Sequence, residues 1–239
     1  MTTSGTPTKV DPVAKLTAEG AHAQAIDLRV AQIVQQAEAR PGPQPRRKSL
    51  ALAGYARVGK STLAQRIGAR TGLLHVRGDH YRRLFWEIED DTLRDRRRRQ
   101  AYVQLFQSLP SGLVVETDDF ISANRHKKRG FQPFSLDLLA MLKAAGLADV
   151  ALLLPLQTDV ESRLASVRFG RRAGQCWTLK THRTENALEK MVQSAVRNEA
   201  RLRALAQTAS ITILEIDTIN FDASIEALSA EIDQSRALS

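Results

Sequence analysis

The sequence predicts a three-layer α/β/α fold built on a mainly parallel, five-stranded sheet. Three observations carry that expectation. Five short apolar segments, at residues 49–53, 73–77, 113–116, 150–154 and 211–216, are each bounded by turn or polar residues, as strands covered on both faces are. Segments of helical periodicity alternate with them, which favours parallel pairing through helical crossovers. The first apolar segment also runs straight into a glycine-rich turn, followed by Leu63 and Ile67 at the i, i+4 spacing of a helix facing a sheet.

Taken in order, residues 1–12 are polar and carry Pro7 and Pro12, and they are expected to be disordered. Residues 13–39 read as a helix whose stripe (Leu16, Ala23, Ile26, Leu28, Val30, Ile33, Val34) is imperfect; an extension packed on the main domain is the expected role. Pro41-Gly42-Pro43-Gln44-Pro45 can neither continue a helix nor join a central strand, so it reads as a linker. The expected organisation is therefore an N-terminal segment, helix and linker over residues 1–45, then one domain over 46–239. Within that domain, residues 94–109 place Ala101, Tyr102, Leu105, Phe106 and Leu109 on one side. Residues 135–145 carry Leu138, Leu139 and Leu142. Residues 185–206 carry Leu188, Met191, Val192, Ala195, Val196 and Leu202 at helical spacing, and residues 223–232 close the fold.

Composition narrows the class. The 239 residues suffice for one α/β domain with a good core. Residues 150–154 form the densest apolar run and are strand-sized, so no membrane span is expected. Cys176 is the single cysteine, which excludes an internal disulfide and a cysteine-built metal site. No secretory apolar stretch is evident near the start, and a soluble, cytoplasmic protein is the expectation. The formal charge of +9 favours anionic partners, from a nucleotide to a nucleic acid, without choosing among them.

The chemistry starts at Gly54-Tyr55-Ala56-Arg57-Val58-Gly59-Lys60-Ser61-Thr62, which fits G-x-x-x-x-G-K-[ST], the phosphate-binding loop. Glycines let the backbone curl so that successive N–H groups point at one phosphate chain. Lys60 would reach the β- and γ-phosphate oxygens of ATP. The Ser61 hydroxyl would hold Mg²⁺, and the helix opening there adds its positive end.

In an open parallel sheet the ligand lies at the carboxyl ends of the strands, and several acids fall at such ends. Asp79, after the second strand, is a candidate to orient or deprotonate a phosphoryl acceptor, or else a helix N-cap. Glu116, Asp118 and Asp119 end the third strand; they could serve a Mg²⁺ shell or an attacking hydroxyl, or simply make a turn. Asp217-Thr218 sits where a loop near a nucleotide base would lie, or makes an ordinary turn before the last helix. Arg163, Arg168, Arg171 and Arg172 follow the fourth strand, with Gly170 and Gly174 offering bend points. They suit a lid closing over phosphates, or an exposed basic face. Arg94-Asp95-Arg96-Arg97-Arg98-Arg99 offers phosphate neutralisation for a nucleic acid, or a solvated helix face, with Tyr102 and Phe106 turned to the core. The histidines show no zinc spacing with one another.

These motifs resemble the P-loop kinases of the nucleoside-monophosphate-kinase-like group, over residues 48–235. The strongest is the loop from Gly54 to Thr62. Gly78-Asp79-His80-Tyr81-Arg82 is similar to the Gly-Asp…Arg element of adenylylsulfate and gluconate kinases, which faces the acceptor there. The resemblance implies acceptor contacts for Asp79 and Arg82, and a catalytic set of Lys60, Asp79, Arg168, Arg171 and Arg172. Glu116-Thr117-Asp118-Asp119-Phe120 departs from the Asp-Gly form of nucleotide kinases, and the N-terminal helix is an addition. The expected function is Mg²⁺-dependent transfer of the γ-phosphoryl group of ATP to a hydroxyl of a small molecule. Two rivals stand beside it: a kinase of polynucleotide ends, and a regulatory ATPase or nucleotide switch with no small acceptor.

Overall fold

The computed structural model describes residues 12–40, 47–55, 58–78, 88, 90–121, 135–157, 159–172 and 184–237. The expectations for residues 1–11, for the proline-rich linker and for Ala56, Arg57, Asp79 and Arg82 fall outside them. Arg171 and Arg172 close a helix whose last side chains are also outside the description.

Helix α1 (Pro12–Glu38) leads into strand β1 (Leu50–Gly54), helix α2 (Lys60–Thr71) and strand β2 (Leu74–Arg77). Helix α3 (Asp91–Ser108), β3 (Leu113–Thr117), α4 (Asp137–Ala144) and β4 (Asp149–Pro155) follow. Helices α5 (Val160–Arg172) and α6 (Glu185–Thr208), β5 (Thr212–Ile216) and α7 (Phe221–Ala237) complete the chain. The five strands lie in the order β2-β3-β1-β4-β5, and every pairing within the sheet is parallel.

Alternate residues of a strand point to opposite faces, and the core divides accordingly. Ala51, Ala53, Leu113, Val115, Val150, Leu152 and Leu154 join α1, α3, α4 and the C-terminal part of α6 in one cluster. Leu50, Leu52, Val114, Ala151, Leu153, Leu214 and Ile216 join α2 and α7 in the other. All of β1 and β3 is buried, as strands covered on both faces must be. Strand β5 lies at the sheet edge and is only partly covered, with Thr212 and Glu215 exposed.

Helix α1 is integral to this packing. Ile26, Val30, Ile33 and Ala37 recur at i, i+4, i+7 and i+11 and are buried in or beside the first cluster, against α3. Gln104 on α3 donates to Asp27 at 2.7 Å. Leu28, counted in the sequence stripe, is 66% exposed: two residues from Ile26 and from Val30, it lies on the opposite face. A second difference concerns Gly170. The bend expected there is absent, and α5 runs through it to Arg172. One glycine costs about 1 kcal/mol relative to alanine, too little by itself to break a helix. Gly174 lies outside the described residues.

Because β1 is central and its two neighbours, β3 and β4, come later in the chain, the connections leave it on opposite sides. The crevice at such a switch point, at the carboxyl edge of the sheet, is where a ligand fits.

Candidate functional site

The loop after β1 opens at that edge. Gly59 has a φ of 98°, in the left-handed region, and an added Cβ would come within 2.8 Å of the Phe221 ring. A side chain is therefore excluded twice over, by conformation and by space. Gly59 caps α2, whose first residue is Lys60. The Lys60 side chain is nearly buried and curls back over the loop, Nζ donating to the Tyr55 carbonyl at 2.7 Å. The α2 N-terminus and a sequestered ammonium thus lie together at the carboxyl edge of β1, the electrostatic requirement for an anionic group.

Ser61, one residue on, donates from Oγ to Glu116 Oε1 at 2.9 Å. Glu116 is buried near the carboxyl end of β3 and shares the α2 face of the sheet with Val114. The structure therefore brings Glu116 to the loop. Asp119 is held elsewhere: its backbone N–H donates to Thr117 Oγ1 at 3.0 Å, and its carboxylate accepts from Tyr102 Oη at 3.3 Å. Tyr102 is fully buried and stacks at a tilt on Phe120, with ring centroids 4.9 Å apart. Asp118 lies between them, half-buried, its carbonyl accepting from Ile121 N–H.

Gly78 follows β2 and is buried against β3; a Cβ there would lie 2.7 Å from the Glu116 carbonyl and would overlap Thr117. Only glycine lets the chain pass so close at this point, immediately before Asp79.

On the other side, Asp217 organises the turn after β5. Its carboxylate accepts from Ile219 N–H at 2.8 Å, Asn220 N–H at 3.2 Å, Asn220 Nδ2 at 2.8 Å and Gln157 Nε2 at 2.6 Å. Gln157 Oε1 in turn accepts from Thr218 N–H and Oγ1. The hydrogen bonds from Asn220 and Gln157 lead the causes that pull the Asp217 carboxyl down to about 2. The turn foreseen at Asp217-Thr218 is thus a closed network tying the ends of β4 and β5 together. Phe221, at its end, touches the phosphate loop at Gly59.

Helices α5 and α6 form an antiparallel hairpin with its own small core of Leu164, Val167, Leu188 and Val192. Arg163 is buried and paired with Glu199. Arg168 is half-exposed and paired with Glu185 across the hairpin. Burial pushes the Glu199 carboxyl up, against the pull of Arg163 and Arg203. Tyr55, in the phosphate loop, shares this surrounding: burial and the Glu199 charge raise its phenol, and Arg163 opposes them. Glu199 was legible in principle. Leu188, Val192, Ala195, Glu199, Leu202 and Ala206 form one stripe at spacings of four and three, with a carboxylate in an apolar row.

In the arginine run, Arg94 donates to the Ile88 carbonyl, and Arg97 donates to Gln100. Arg98 and Arg99 both pair with Asp95, one turn earlier, and Arg99 also faces Asp137. Among the described residues, no group of three or more His, Cys, Asp and Glu is placed to hold a metal ion, and no helix is long and apolar enough to cross a membrane.

Comparison of the whole fold with solved structures gives its relatives. Shikimate kinase from Bacteroides thetaiotaomicron superposes with a TM-score of 0.51 at 14% identity, over 78% of this chain and 98% of that one. Shikimate kinase from Acinetobacter baumannii, solved in complex with shikimate, gives 0.50 at 18%, over 80% and 93%. This chain has their fold. At such identities the likeness establishes the P-loop α/β architecture and no substrate. No protein-family model and no curated protein matches the sequence.

Proposed function

We propose that this protein is an ATP- and Mg²⁺-dependent phosphotransferase that phosphorylates a hydroxyl of a small molecule. The observation that carries the reading is the convergence of Lys60, the α2 N-terminus and the Ser61–Glu116 pair on the loop at the carboxyl edge of β1. A bare anion site needs only the first two. The buried carboxylate on the loop serine adds a hard-oxygen donor set suited to Mg²⁺.

The residues present fit both groups. The loop from Gly54 to Thr62 (Tyr55, Ala56, Arg57 and Val58 between the glycines) would supply amides to the phosphates. Lys60 would leave the Tyr55 carbonyl to meet the β- and γ-oxygens. Ser61 and Glu116, with Asp118 close in sequence, would hold the metal, which when bound offsets phosphate charge. Asp79, next in sequence to Gly78, would orient the attacking hydroxyl, with Arg82 as a second acceptor contact. Arg168, Arg171 and Arg172, on the hairpin, would cover the transferring group and exclude water. The closed turn at Asp217 and Gln157 would border the base. The shikimate complex of the Acinetobacter relative supports a small hydroxylated acceptor as the class to test first. The local pairing of Arg94, Arg97, Arg98 and Arg99 supports a structural helix face over a polynucleotide track.

The test is a screen of nucleosides, sugars, sugar acids and hydroxylated carboxylic acids for compound-stimulated ADP release. The expected result is stimulation by one acceptor class, abolished by Asp79→Asn. ATP hydrolysis indifferent to every acceptor, with Asp79→Asn harmless, would favour the regulatory ATPase.

A further inference from the structure

His75 stands apart from every role given so far. It is the second residue of β2, paired in register with Val114, and it points to the α2 face of the sheet, as Glu116 does two positions further along β3. Its side chain is 16% exposed, and its Nε2 lies 3.7 Å from Glu116 Oε1. That nitrogen is buried and has no hydrogen-bond partner among the described residues. Gly68 of α2 passes directly above, an added Cβ there falling 3.8 Å from the His75 Cβ. Three elements therefore set three side chains in a row, with Ser61 on α2, Glu116 on β3 and His75 on β2.

Buried polar nitrogens are rarely left without a partner, and each one that is calls for an explanation. Here an acceptor lies 3.7 Å away, the Glu116 oxygen that already takes the Ser61 hydroxyl. An approach of under 1 Å would complete the contact, within the reach of small side-chain rotations. We propose that His75 is a positioning residue for the Mg²⁺ site: donating from Nε2, it fixes Glu116 so that Oε1 receives Ser61 and Oε2 is turned toward the metal. The inference rests on the proposed reading of Ser61 and Glu116 as the metal-side pair. His75 touches neither nucleotide nor acceptor. It acts through the carboxylate, as outer residues orient inner ligands in metal sites generally.

The experiment compares His75→Gln, which keeps an amide donor at comparable reach, with His75→Leu, which fills the space without one. Binding of ADP is followed by calorimetry in EDTA and across a Mg²⁺ titration, with thermal melting in EDTA as the control for folding. The wild-type protein should bind ADP more tightly as Mg²⁺ is added. His75→Leu should need about tenfold more Mg²⁺ for half of that gain, His75→Gln should stay within about twofold, and both should match the wild type in EDTA. Equal Mg²⁺ curves for all three proteins, or equal losses in the two variants, would overturn the role of His75. A wild-type protein whose ADP affinity ignores Mg²⁺ would instead overturn the underlying reading of Ser61 and Glu116.

Discussion

The phosphate loop and the α5–α6 hairpin flank the same edge of the sheet and are built in opposite ways. The loop is seated on both main clusters of the core: β1 is buried throughout, α2 packs on β3 and α7, and Gly59 lies against Phe221. Among the described residues, the hairpin has a small apolar core of its own, Leu164, Val167, Leu188 and Val192 with Val160, Met191 and Val196 packed against it, and an ion pair buried at its base. A donor site must be preorganised, so its groups sit on elements that cannot shift separately. A cover must open, and the hairpin's small separate core suits the covering role proposed for it. The proposed division sets a stiff donor site against a cover, with Tyr55 electrostatically linked to Glu199 and Arg163 of the hairpin.

The largest break in that comparison comes at the hairpin base. Glu199→Ala leaves Arg163 buried and uncompensated, and it should cost about 3–5 kcal/mol in urea unfolding. An Arg163→Met/Glu199→Leu double variant should recover most of it, because the pair's desolvation cost disappears with the charges. The pH dependence has a definite sign. Burial raises the Glu199 carboxyl in the folded state, so folded protein binds this proton more tightly than unfolded chain does. Its contribution therefore falls as pH rises from the ordinary glutamate range through the raised folded value. Glu199→Gln should flatten that slope in a series of Tm measurements.

Next in size is the core under the loop. Ile33→Ala on α1 should cost about 2–5 kcal/mol, like other truncations at fully buried sites. Since α1 shares its cluster with the sheet, calorimetry and circular dichroism should still report one coincident transition. A separate early melting of α1 would show that it is an appendage.

Much of this was legible in the sequence, for reasons particular to each element. The five strands stand where short apolar runs meet turn residues, and the loop motif fixed Lys60 and Ser61 at the start of a helix. What escaped was set by contacts between distant segments. Glu116 could not be ranked above Asp118 and Asp119 until β3 was placed beside α2. The histidines lack zinc spacing with one another, and the closeness of His75 to Glu116 comes from strand register, which no local pattern records. Arg163 belongs to a cluster that reads as a lid or an exposed basic face; its burial against Glu199 depends on α5 and α6 being antiparallel.

A smaller effect sharpens the comparison without mutation. In native-state hydrogen exchange, amides of α5 and of the Leu188–Val192 turn of α6 should exchange at least about tenfold faster than those of β1 and the Leu63–Ile67 turn of α2. Equal protection would remove the basis for calling one region stiff and the other a cover. The smallest effect is at the half-buried Asp217. Its depressed carboxyl, near 2, contributes stability above the ordinary aspartate range, and that contribution is lost as pH falls through about 2. Asp217→Asn should therefore lower Tm slightly at neutral pH, and the difference should shrink in acid.

The central claim is that the loop at Gly54 to Thr62 is the donor half of a phosphotransfer site. The most direct test is transfer of the labelled γ-phosphoryl group of ATP to the acceptor found by screening, measured for the wild type and for Lys60→Ala under single-turnover conditions. Loss of Lys60 should slow transfer by about 10²–10³-fold, with the folded state intact by circular dichroism. A Lys60→Ala protein that transfers phosphate at the wild-type rate would contradict the account.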